Sequence, residues 1–169
     1  MAGDGFYRVR VRAASLPELV TAASWLWFAG WAVALAVVDL REHRLPNKMV
    51  AVAFGGCALL TVVAAIGRTD AGLLVGALGG AIAAVVAFAI AHVIGGMGMG
   101  DVKYAAVTGW MLGTIGWSAV WWGHLLGFMV AGGVVVVGLL LRRVNRRTAL
   151  PFGPFMGLGA LVVAATALT

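Results

Sequence analysis

Long apolar segments and short polar segments alternate along the chain from residue 19 to its end. A helix needs about 20 predominantly apolar residues to cross the hydrocarbon core of a bilayer. Most of the apolar segments approach or exceed that length, and the fourth is the shortest. The pattern predicts six helical spans, at about residues 19–38, 49–66, 72–94, 102–112, 115–141 and 150–168.

The composition agrees with an all-α, polytopic membrane protein of about six transmembrane helices. Hydrophobic residues make up 63% of the 169 residues and charged residues 11%, whereas soluble domains have about 45–50% and about 25%. No soluble core could bury so much apolar surface. The net charge of +6 would suggest nucleic acid in a soluble protein. Here it is explained by membrane topology, so we expect a lipid bilayer and no nucleic acid as partner.

The first 18 residues form a polar, cationic segment with three alternating arginines. A cationic segment before an apolar run could be a signal peptide, but this run is too long, and its A-x-A sequences lie inside it. Ser15 and Glu18 have the spacing of a capping box, which predicts a helix start. We therefore expect a tail at residues 1–18 and one membrane domain at residues 19–169. In the third span, Gly76, Gly79 and Gly80 favour close approach of neighbouring helix backbones.

The distribution of lysine and arginine predicts the orientation of the spans. The connections after spans one, three and five hold eight of the 12 basic residues: Arg41, Arg44, Lys48, Lys103, Arg142, Arg143, Arg146 and Arg147. The tail and the two other connections hold Arg8, Arg10, Arg12 and Arg68. Because positively charged loops stay inside, the connections after spans one, three and five are expected in the cytoplasm, although the arginines of the tail oppose this orientation.

Two aspartates are expected on that same membrane face. Asp39 ends the first span, and Asp101 follows a glycine-rich stretch, residues 95–100, at the start of the fourth span. Two crossings separate them, and two more lead to the proline-rich start of the sixth span at Pro151 and Pro154. An ionisable side chain at membrane depth is costly, so its presence there points to function.

A pair of carboxyl groups brought close together can perform acid–base chemistry. The two cannot both ionise cheaply, so one tends to hold a proton while the other stays charged. This is the chemistry of an aspartic protease, in which the titration belongs to the pair. Two simpler interpretations stay open: Asp39 as a solvated acid at a helix end, and Asp101 as the N-cap of span four.

Three sequence motifs resemble those of the type IV prepilin peptidases. The segment Gly98-Met99-Gly100-Asp101-Val102-Lys103 fits the pattern G-x-G-D-x-K. The segment from Asp39 to Leu45-Pro46-Asn47 looks like the other aspartate motif of that family, and Pro151-Phe152-Gly153-Pro154-Phe155 resembles its third signature. The resemblance covers residues 19–169. Presenilin-like proteases share GxGD, but their Tyr-Asp and Pro-Ala-Leu signatures are not matched here.

The resemblance implies a six-helix intramembrane aspartyl endopeptidase that removes the basic leader of type IV prepilin-like precursors at the cytoplasmic edge of the plasma membrane. Asp39 and Asp101 would be its catalytic carboxylates. The motifs add eight supporting residues: Gly98, Gly100, Lys103, Pro46, Asn47, Pro151, Gly153 and Pro154. Large members of the family also methylate the new N-terminus and carry a cysteine-rich insert. This chain has Cys57 alone, so we expect a short form with peptidase activity only.

Other residues support weaker hypotheses. Lys103 could tune Asp101 or bind lipid headgroups by snorkelling. His43 lies four residues after Asp39, but no third ligand is evident, so we expect no metal and no cofactor. His92 and His124 are expected to be hydrogen-bonded inside the bundle or at an interface. A non-enzymatic transporter or assembly scaffold would also explain paired acids, as a proton relay.

Overall fold

The computed structural model describes residues 14–95, 97–142 and 151–167, and within them the chain is helical without strands. The predicted tail up to residue 13 and most of the basic segment at residues 142–147 lie outside the described residues. The helices are α1 (Leu16–Glu42), α2 (Asn47–Arg68), α3 (Ala71–Ile94), α4 (Met99–Gly113), α5 (Trp117–Leu140) and α6 (Gly153–Ala167). These six helices confirm the predicted fold class, a polytopic membrane protein.

Helix length separates the six into two groups. α1, α2, α3 and α5 are long and apolar enough to cross a membrane. α4 and α6 have 15 residues each, which corresponds to about 22 Å at 1.5 Å per residue. That is shorter than a hydrocarbon core of about 30 Å, so the described parts of these two predicted spans do not cross it unaided.

The short helix α4 lies inside the bundle. It packs against α2, α3, α5 and α6, and most of its residues from Val102 to Gly113 are buried. Two pairs of glycines bring the backbones of α3 and α4 together: Gly76 with Gly113, and Gly80 with Gly109. This confirms the predicted role of Gly76 and Gly80.

The helix starts follow local signals in the sequence. The carboxylate of Glu18 accepts a hydrogen bond of 2.7 Å from the backbone N–H of Ser15, as the capping box predicts. Pro46 is the N-cap of α2. Asp70 caps α3 by accepting a hydrogen bond of 2.9 Å from the N–H of Gly72.

Two predicted helix boundaries at the polar sequence motifs are wrong. α1 continues past Val38 to Glu42, because Asp39 falls on the buried face of the helix and does not interrupt it. The N-cap of α4 is Gly98, so the interpretation of Asp101 as the N-cap is also wrong. Asp101 already lies in the first helical turn, and its N–H donates to the carbonyl of Gly98 over 3.1 Å.

Candidate active site

One end of the bundle carries a cavity of about 290 Å³ that both aspartates line. Its walls come from two segments, residues 39–47 and residues 98–103. The first segment runs from the last turn of α1 to the first residue of α2, and the second forms the start of α4. The structure therefore brings Asp39 and Asp101 to one site, although 62 positions separate them in the sequence.

Asp39 is positioned by its place on the buried face of α1 and by a hydrogen bond from α6. It continues a buried stripe of α1 through Ala32 and Leu35, and only 5% of its surface is exposed. Its Oδ2 accepts a hydrogen bond of 3.0 Å from the backbone N–H of Gly153. The first N–H groups of a helix have no partner within the helix, so Gly153, the first residue of α6, can donate to Asp39.

Gly153 also makes room for that carboxyl group. A Cβ atom at this position would stand 2.8 Å from Oδ2 of Asp39, which is too close for an unshifted contact. The glycine of the third motif therefore contributes both a hydrogen bond and the space in which the carboxyl group lies.

Asp101 reaches the same cavity from the first turn of α4. Its Oδ2 lies 3.4 Å from the place that a Cβ atom would take on Gly98, so the carboxyl group folds back over the start of its helix. Burial raises the pKa of Asp101, and the negative charge of Asp39 raises it further. Two carboxyl groups in this relation favour one proton and one charge between them.

Residues 26–141, which include both aspartates and both walls of the cavity, match the type IV leader peptidase family. The chain belongs to this family. It is also similar to the prepilin leader peptidase/N-methyltransferase of Bacillus subtilis (strain 168), with 31% identity over 136 residues. That alignment covers 80% of this chain and 52% of the relative, so the chain spans about half the length of this curated relative. No solved structure matches the chain.

The remaining residues of the predicted family motifs fall into two groups. Lys103 and Asn47 lie at the mouth of the cavity, where the Lys103 ammonium donates a hydrogen bond of 2.8 Å to Oδ1 of Asn47. This bond connects α4 to the first residue of α2. Pro151 and Pro154 flank Gly153 at the start of α6 and are not part of the cavity wall. Pro154 is tolerated there because the first helical turn does not need its missing N–H.

The histidines of this family member occupy three different settings. His43 caps the C-terminus of α1 and lines the cavity, but it lies beyond the end of the helix. Nδ1 of His92 lies 2.6 Å from the carbonyl oxygen of Met97. Nε2 of His124 lies 3.0 Å from Oγ1 of Thr108 inside the bundle. The expectation that His92 and His124 are hydrogen-bonded is confirmed.

Leu45 is a part of the site that the sequence analysis did not single out as a separate feature. It lines the cavity and is 8% exposed, although it stands in the short connection between α1 and α2. Its place before Pro46 in the family motif is the signal that could have drawn attention to it.

Proposed function

We propose that the protein is an intramembrane aspartyl endopeptidase that cleaves the basic leader from type IV prepilin-like precursors. The observation that carries this proposal is the shared cavity of Asp39 and Asp101 at one end of the helix bundle. Membership of the type IV leader peptidase family supports peptide-bond cleavage. The name of the Bacillus subtilis relative supports a prepilin-like substrate.

In the proposed reaction, a water molecule lies between the two carboxyl groups. The ionised carboxylate removes a proton from the water, whose oxygen forms a bond to the carbonyl carbon of the scissile peptide. The protonated carboxyl group donates its proton to the carbonyl oxygen. The tetrahedral intermediate then collapses and the C–N bond breaks. The amine of the new N-terminus takes the proton that the first carboxyl group removed from the water, and a hydroxyl of the intermediate returns a proton to the second carboxylate.

The place of the cavity suits a bond between a polar leader and an apolar helix. The leader would stay in the aqueous phase, while the apolar part of the precursor packs laterally against the membrane-spanning helices. We propose a cytoplasmic site in the plasma membrane, because the described basic residues of the connections concentrate at the aspartate end of the bundle. They are Arg41, Arg44, Lys48, Lys103 and Arg142.

The proposed activity is cleavage alone, without methylation of the product. The 169 residues contain a single cysteine, and Cys57 is fully buried in α2. It is thus not part of a cysteine-rich insert like the one that the family resemblance implies for methylating members.

Co-expression with a pilin-like precursor tests the function. The wild-type chain should shorten the precursor, and the variants Asp39→Asn and Asp101→Asn should each leave it uncut while still accumulating in the membrane. Asp70→Asn is the matched control, because Asp70 caps α3 and asparagine is an equally good N-cap. It should cleave like the wild type.

Two results would contradict the proposal in different ways. Cleavage by either of the two asparagine variants at the cavity would exclude the aspartyl mechanism. A wild-type chain that leaves every precursor intact would favour the alternative, a transporter or assembly scaffold in which the paired acids relay protons.

A further inference from the structure

We propose that Leu45 is a positioning residue that sets the separation of the two aspartates. Its side chain lies between the start of α4, which carries Asp101, and the start of α6, where the N–H of Gly153 donates a hydrogen bond to Asp39. The inference rests on the proposed function, because it assigns Leu45 a role in the same reaction.

The burial of Leu45 is unusual for its surroundings. Leu45 is buried, whereas all the remaining residues from Leu40 to Met49 are exposed or partly exposed. A connection at the polar end of a membrane bundle has no general need for a buried leucine. Its apolar side chain is removed from water because it extends from the cavity wall toward the starts of α4 and α6.

Leu45 lies close to one glycine next to Asp101 and to another that is hydrogen-bonded to Asp39. A Cβ atom at Gly100 would stand 3.2 Å from Cβ of Leu45, and one at Gly153 would stand 3.6 Å from its Cδ1. Gly100 immediately precedes Asp101, and the N–H of Gly153 donates to Asp39. Leu45 therefore lies beside the chain neighbour of Asp101 and beside the hydrogen-bond donor of Asp39.

Leu45, Gly100 and Gly153 each come from a different motif, and they pack together between the two aspartates. Gly100 and Gly153 lack side chains, and Leu45 takes up room that their side chains would approach. Without the leucine side chain, the starts of α4 and α6 could move closer or shift sideways. A displacement of about 1 Å in a catalytic group can lower the rate about 100-fold, so a wedge at this place controls catalysis through the positions of the two aspartates.

The test compares Leu45→Ala with a buried leucine at the other end of α4. Leu112 is fully buried and does not line the cavity, so Leu112→Ala reproduces the loss of core packing alone. Full-length variants in detergent are assayed on a pilin-like precursor, and kcat is corrected for the folded fraction. We expect Leu45→Ala to lower kcat by at least about 10-fold with a similar KM, Leu45→Met to restore most of it, and Leu112→Ala to keep kcat. Equal kcat values for Leu45→Ala and Leu112→Ala would overturn the proposal.

A distance measurement makes the proposal independent of cleavage. Spin labels on Glu42→Cys and Met99→Cys, in a Cys57→Ala background, report the separation of the end of α1 from the start of α4. Both native side chains are exposed. Leu45→Ala should broaden or shift the distance distribution, and Leu112→Ala should not. If the wild type cleaves nothing but the distribution responds to Leu45→Ala, the proposed function fails and the positioning role stands. An unchanged distribution contradicts the positioning role.

Discussion

Gly153 contributes to the site through its backbone and through the side chain that it lacks. Replacement by alanine would place a Cβ atom 2.8 Å from Oδ2 of Asp39 and force the carboxyl group or the start of α6 to move. Because small displacements of a catalytic group are costly, we expect Gly153→Ala to lower kcat for precursor cleavage by about 100-fold.

The control for this substitution is Gly30→Ala in α1. Nothing lies within 4 Å of an added Cβ atom at Gly30, and alanine is a better helix former than glycine. Gly30→Ala should therefore cleave at the wild-type rate. If Gly153→Ala also retains full activity, the space that glycine leaves beside the Asp39 carboxyl group has no part in catalysis.

Tyr104 lies one turn further along α4 from Asp101, and, unlike Gly153, it is expected to affect stability and not catalysis. Among the described residues, its hydroxyl is the one buried side-chain polar atom without a hydrogen-bond partner. A buried group of this kind costs about 1–3 kcal/mol. We expect Tyr104→Phe to keep its activity and to raise the free energy of unfolding by about 1 kcal/mol, measured by denaturant unfolding in detergent. A loss of activity without a loss of stability would show that the hydroxyl acts in the reaction.

At the scale of the helices, the apolar pattern of the sequence predicts their number and approximate position well. Membrane spans consist of long apolar segments, which hydropathy detects directly. The ends are harder, because a helix continues through polar residues where these fall on its buried face. Asp39 is such a residue: it lies seven positions after Ala32 on the buried stripe of α1, while the apolar run ends one residue before it.

The aspartate pair and its motif residues could be predicted from the sequence, but the contacts among them could not. Counting crossings is enough to place Asp39 and Asp101 on one membrane face. The hydrogen bond from Gly153 to Asp39 joins residues 114 positions apart, and the wedge at Leu45 depends on contacts with two distant glycines. Such contacts follow from the packing of several helices, which no local pattern of one segment encodes.

The close packing of α3 against α4 is the helix-scale feature that supports Asp101. A Cβ atom at Gly109 would stand 2.5 Å from the carbonyl oxygen of Gly80 and 2.6 Å from Cβ of Ala84. Since rigid backbone lies there, Gly109→Ala must push the helices apart. Overpacking of this kind costs about 1–3 kcal/mol, which we expect as a loss in the free energy of unfolding.

The matched control is Gly132→Ala in α5, where nothing lies within 4 Å of an added Cβ atom. It should unfold like the wild type. Equal free energies of unfolding for Gly109→Ala and Gly132→Ala would mean that the packing of α3 against α4 does not depend on the glycine contact.

At the scale of the whole molecule, the helix order places the connections at two opposite ends. The aspartate end holds five of the six lysines and arginines among the described residues, and Arg68 lies at the opposite end. Charges of this kind near the ends of spans set the orientation of a membrane protein. The aspartate end should therefore face the cytoplasm, where a precursor leader is present before export.

Cysteine labelling in intact cells tests this orientation with two single-site variants. Both start from Cys57→Ala, and they place the reporter at exposed residues of opposite ends, Glu42→Cys and Ala71→Cys. A membrane-impermeant maleimide should label Ala71→Cys in intact cells but reach Glu42→Cys only after permeabilisation. The reverse pattern would put Asp39 and Asp101 outside. The leader would then have to cross the membrane before cleavage, and the distribution of basic residues would no longer explain how the bundle is inserted.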